Sequence, residues 1–135
     1  MAEPKTRPTD VDPRDFIAGV ENPVRRQDAE TMLALLSEVT GEQPVMWGPS
    51  IVGFGSYRGP TGDWPLIGFS PRKAELVVYV MPGFVERADL IERLGRHRTG
   101  GSCLYVKRLS DVDQGALREL CAWATATMRE RHASA

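Results

Sequence analysis

Two of the three lysines, Lys73 and Lys107, and all three tyrosines, Tyr57, Tyr79 and Tyr105, fall in or beside runs of alternating apolar residues. Lys73 follows Arg72 directly after Ser70-Pro71, so two cations leave one turn together and form a local trap for an anion. Where Leu76, Val78 and Val80 mark the covered side of a strand, Glu75, Val77 and Tyr79 occupy its other side, joined by Lys73 if the alternation extends back that far. The same parity sets Leu104 and Val106 against Cys103, Tyr105 and Lys107. Adding Gly53, Gly55 and Gly68 gives a face with glycines as floor and tyrosines and lysines as walls. Glycine lets a ligand approach the backbone, tyrosine offers a flat surface with a polar tip, and ammonium groups attract anions. The residues expected to bind an anion or a partner are therefore Trp47, Arg72, Lys73, Tyr79, Tyr105 and Lys107, with Gly53, Gly55, Gly68, His97 and Cys103 as secondary members. A half-solvated antiparallel sheet carries the same residue types without any ligand.

Other chemistry is sparser. His97 lies between Arg96 and Arg98 ahead of two glycines, a basic loop suited to a phosphate or carboxylate or simply to solvent. A nucleophile built from Cys103 and His97 needs contact between residues six apart across a Gly-Gly turn. No His, Cys, Asp or Glu spacing spells a metal site, and Asp111 and Asp113 read as helix caps. The glycines of GPSIVGFG precede a strand instead of a helix and match neither the dinucleotide nor the Walker spacing. No cofactor is expected.

The elements that must position these residues follow from periodicity. Asp12-Pro13 and Asn22-Pro23 are two helix starts, and Ala29, Met32, Leu33, Leu36 and Val39 recur at helical spacing until Gly41. The period then changes to two. Strands are predicted over 51–57, 64–69, 74–81 and 102–108, the first two joined as a hairpin through Gly59, Pro60 and Gly62. Between the third and fourth strands, 84–94 is helix-like, and a last helix starts near Asp111 or Asp113 and buries Leu117, Leu120, Cys121, Ala124 and Met128. The order ααβββαβα predicts an α+β fold: two layers, a mostly antiparallel sheet of about four strands, and helices on one face.

With 135 residues, 41% apolar and 26% charged, the chain suits one core, expected over residues 12–131 between a disordered tail (1–11) and a frayed end (132–135). A net charge of −1 and a pI near 6.1 give no overall attraction to nucleic acid or an anionic membrane. No apolar run approaches a membrane span and the N-terminus lacks a signal-peptide pattern, so a cytoplasmic location is expected, with free thiols at Cys103 and Cys121.

The runs VMWGPSIVGFGSY, GDWPLIGFSPRKAELVVYVMPGF and LIERLGRHRTGGSCLYVKRLSDVD, with the preceding helix AETMLALLSEVTGEQPVMWGPS, resemble the YdhG-like family of bacterial domains of unknown function, over about residues 10–128. The resemblance implies an α+β domain and, for one branch of the family, intracellular iron chaperoning comparable to frataxin. Two departures stand out. The hairpin after Tyr57 is short, and the 23–40 helix mixes Asp28, Glu30 and Glu38 with Arg25 and Arg26 where an iron site needs an acidic ridge. The expected function is a non-enzymatic binding or interaction module for a small anion or a protein partner, with homodimerisation as one form of partnership. Iron chaperoning and an enzyme using Cys103 or His97 are the alternatives.

Overall fold

A computed structural model of the protein describes residues 8–59 and 62–132. The expected disordered segment 1–11 falls outside these up to residue 7, as do residues 133–135 of the expected frayed end. Pro8 bridges to Trp47, and the Thr9 amide donates to the Met46 carbonyl at 2.8 Å.

The helices start and stop on their caps. In α1 (Pro13–Ala18) the Asp12 side chain accepts from the Arg14 amide, and in α2 (Pro23–Thr40) Asn22 accepts from the Arg25 amide, with proline at the first turn of each. Gly41 closes α2 at φ +70°, a left-handed position that suits a residue without Cβ. A 3-10 turn (Val85–Arg87) leads into α3 (Ala88–Leu94), and a second (Leu109–Asp111) precedes α4 (Gln114–Arg131), which Asp113 caps through the Ala116 amide.

The sheet departs from expectation. Instead of one sheet of about four strands with helices on one face, the described residues form two sheets, of six and two strands, with four helices interspersed along the chain. The large sheet runs β1 (Pro44–Trp47), β2 (Ile51–Phe54), β5 (Ile67–Pro71), β6 (Leu76–Tyr79), β8 (Cys103–Val106), β7 (Arg98–Gly100), antiparallel throughout. The predicted 51–57/64–69 hairpin is split, because Gly55 at φ +65° turns the chain away after Phe54. The released residues pair separately as β3 (Tyr57–Gly59) and β4 (Gly62–Trp64). β1 escapes periodicity because it is four residues long between Pro44 and Gly48-Pro49; β7 escapes it because all three of its residues are exposed. Ladder hydrogen bonds, not burial, hold β7 to β8. The helices do not form one layer on the sheet either: α2 packs on β2, β5 and β6, α4 on α2 and β5, while α3 packs mainly on α4.

Register aligns Val52, Phe69, Val78 and Leu104 across four strands, and all are fully buried with Phe54, Ile67, Leu76 and Val106. Met32, Leu36, Leu117, Leu120 and Ala124 of α2 and α4 complete this core. The opposite row, Gly53, Gly68, Tyr79, Cys103 and Gly100, and its neighbour, Ser70, Val77, Tyr105 and Arg98, form the outer face.

Candidate functional site

One half of the outer face is closed by the chain itself. Trp47 is only 3% exposed, and a Cβ added to Gly53 would lie 2.5 Å from its Cδ1 and 2.7 Å from Pro65. At Gly68 the added atom would lie 2.8 Å from the Val52 carbonyl oxygen, and at Gly55, 2.6 Å from Leu66 Cδ1. These glycines accommodate Trp47, Leu66, Pro65 and the neighbouring strand, so the positions read as a ligand floor are filled by protein.

The other half is a network of side chains that satisfy one another. Arg72 donates from Nη2 to the Tyr79 hydroxyl at 2.9 Å, Arg98 lies 4.0 Å from the centre of the Tyr105 ring, and Arg98 also pairs with Glu75. The Tyr105 phenol is raised above its ordinary pKa, first by hydrogen bonding to Cys103, against the opposing charges of Arg98 and Arg72. Beneath this layer Val77 and Ser70 are buried, and the Ser70 hydroxyl is without a hydrogen-bond partner. Tyr79 sits opposite Cys103, and Arg98 opposite Tyr105. His97 therefore lies past Tyr105, away from Cys103 along the strand, with Nδ1 2.7 Å from the Gly95 carbonyl. A Cys103–His97 pair is not assembled. The second thiol, Cys121, is fully buried in α4 and pushed up to about 12 by desolvation.

The remaining expected residues converge at the edge of this face, where the ends of β5 and β8 meet the first turn of α2. Arg25 projects from that turn and is 8% exposed. Its Nε donates to the Arg72 carbonyl at 2.9 Å and its Nη1 to the Lys107 carbonyl, tying both strand ends to the helix. Two of its five N–H donors are used in this way. Among the described residues Nη2 has no hydrogen-bond partner, and it is not sealed from solvent. Two cavities have Arg25 and Asn22 in common in their linings. The larger, about 810 Å³, has Phe16, Val20 and Pro71 as apolar wall, Arg72 and Lys73 as cations, and Asp15 and Glu21 as acids. The smaller, about 310 Å³, is lined by Lys107 and Arg108 together with Val24 and Ala74.

Among the described residues, none of Arg25, Arg72, Lys73, Lys107 and Arg108 has a carboxylate within ion-pair distance. The nearby Asp28 carboxylate instead accepts from the Leu109 amide at 3.0 Å. A guanidinium taken out of water without a counter-charge is costly, and carbonyl dipoles offset only part of that cost. Together with the N-terminal end of an 18-residue helix, these side chains make a positive pole on a molecule of net charge −1. An anion here gains Coulomb attraction, forked hydrogen bonds from arginine and an apolar wall.

Of the expected residues, this site unites Arg72, Lys73 and Lys107; Tyr79 and Tyr105 stand beside it, and Trp47 does not take part. Arg25 was missed. Its signal was position, since Arg25, Ala29, Met32 and Leu36 share one helical stripe and a cation in a buried stripe calls for partners. Among the described residues, no group of three or more His, Cys, Asp or Glu side chains is placed to hold a metal ion. On α2, Glu38 is engaged by Arg118. No family model, curated protein or solved structure matches the chain.

Proposed function

We propose that the chain is a binding module for a small organic anion, held where the ends of β5 and β8 meet the first turn of α2. The observation that carries this reading is Arg25, a buried guanidinium with no carboxylate partner among the described residues, which lines two cavities at once. Arg72 and Lys73 approach from one side and Lys107 and Arg108 from the other. The Arg25 hydrogen bonds fix the strand ends that carry them, so the site is organised before a ligand arrives, which lowers the entropic cost of binding. The Tyr79 hydroxyl supports the reading indirectly, because it accepts from Arg72 and holds that side chain in place.

Thermal unfolding in the presence of phosphate- and carboxylate-bearing compounds, at constant ionic strength, tests the proposal. A ligand at a hundred times its dissociation constant adds about 2.7 kcal/mol to the stability of the folded form. Stabilisation that saturates, and that needs about tenfold more ligand in Lys107→Ala/Arg108→Ala, is the expected result. Stability that no anion moves, or that moves equally in wild type and variant, overturns it.

A further inference from the structure

The two cavities at Arg25 differ in a way that defines a ligand. The smaller is lined by Arg25, Lys107 and Arg108 and by no carboxylate, so cations dominate its wall. The larger mixes Arg72 and Lys73 with Asp15 and Glu21, so its charges offset one another, and Phe16, Val20 and Pro71 supply apolar surface. A compact, doubly charged group gains most in the first; an uncharged body gains most in the second. Both cavities have Arg25 and Asn22 in their linings, which sets the cationic pocket beside the apolar one on either side of the guanidinium.

We infer that the site takes phosphate monoesters of apolar alcohols, with the phosphate between Arg25, Lys107 and Arg108 and the organic group against Phe16, Val20 and Pro71. This rests on the anion-binding reading above and names the ligand class for the same site. A phosphate dianion is preferred over a carboxylate because three cations face the head group, and because guanidinium forks match phosphate oxygens two at a time. Its three terminal oxygens also accept more hydrogen bonds than the two of a carboxylate. Arg25 is the discriminating element: Nε and Nη1 are committed to carbonyls, so Nη2 meets the ligand at a fixed orientation.

Isothermal titration calorimetry on the full chain, at neutral pH and matched ionic strength, with phenyl phosphate, inorganic phosphate and benzoate tests the inference. Phenyl phosphate is expected to bind about tenfold or more tighter than either of the others. In Lys107→Ala/Arg108→Ala, both exposed positions, phenyl phosphate and inorganic phosphate weaken together, by about tenfold. In Val20→Asn, phenyl phosphate falls to the level of inorganic phosphate, whose own affinity is unchanged. Equal binding of phenyl and inorganic phosphate, or an equal loss of both in Val20→Asn, overturns the two-cavity assignment and leaves the anion reading standing. Benzoate binding as tightly as phenyl phosphate overturns the preference for phosphate alone. Binding of none of the three overturns both.

Discussion

The arginines on the helical side and the cations at the strand ends are equally basic but differently employed. On the helical side Arg87 pairs with Asp89 and Glu119, Arg93 with Glu119, Arg118 with Glu38, Arg129 with Glu42 and Arg131 with Glu86. Where β5 and β8 end, Arg25, Arg72, Lys73, Lys107 and Arg108 stand together without such partners among the described residues, and one of them is buried. Exposed ion pairs contribute little to stability, so the helical network chiefly neutralises charge and orients helices. Unneutralised cations around a cavity repel one another, a cost that an anion relieves. The difference teaches that the small net charge conceals a local pole, and that the pole is where a ligand gains most.

Replacing Arg25 sharpens the contrast most. Arg25→Met leaves the Arg72 and Lys107 carbonyls without their donor and is expected to destabilise the fold by about 2–3 kcal/mol, read from the urea midpoint. The same variant loses the stabilisation by phosphate, which separates its binding role from its structural one when both are measured in one titration series. Next in size, Lys107→Ala/Arg108→Ala weakens phosphate binding about tenfold while shifting the ligand-free midpoint by no more than about 0.5 kcal/mol. A large ligand-free shift in that variant would make these cations structural and break the contrast.

Arg118→Ala, on the helical side, is expected to cost at most about 1 kcal/mol, to lose that effect in high salt, and to retain the full phosphate response. Smaller still is an effect of acid. Hydrogen bonds from Arg87 hold the Asp89 carboxyl below the usual carboxylate range. A depressed value in the folded state gives stability that is present above the ordinary carboxylate pKa and lost as pH falls through the folded value. The difference in midpoint between wild type and Asp89→Asn should follow that course. A difference that persists unchanged to the lowest pH would remove the ion pair as its cause.

How much of this was legible in the sequence depended on whether the information was local. The helices were, because Asn22-Pro23, Gly41 and Asp113 are caps acting within a few residues and the buried stripes repeat at one period. Strand parity placed Leu76, Val78, Leu104 and Val106 in the core and Tyr79 and Tyr105 outside it. It does not reach Lys73, because β6 begins only at Leu76, nor Trp47, which lies in a strand too short for periodicity to show. Gly55 carried two meanings that composition does not separate, a gap for a ligand or a turn, and its positive φ decides for the turn. The site was the least legible part. Arg25 meets the Arg72 and Lys107 carbonyls from 47 and 82 residues away, an encounter that only the tertiary fold creates.

Arg25 is the buried cation on which the proposed anion site turns, and its side-chain Nε–H resonance reports on that site directly. This proton is hydrogen-bonded to the Arg72 carbonyl and is expected to be protected from exchange with solvent. In a titration of uniformly 15N-labelled protein with phenyl phosphate at constant ionic strength, the Arg25 resonance should shift saturably, while the Arg118 resonance stays in place. No saturable shift at Arg25, or an equal shift at Arg118, would contradict the account.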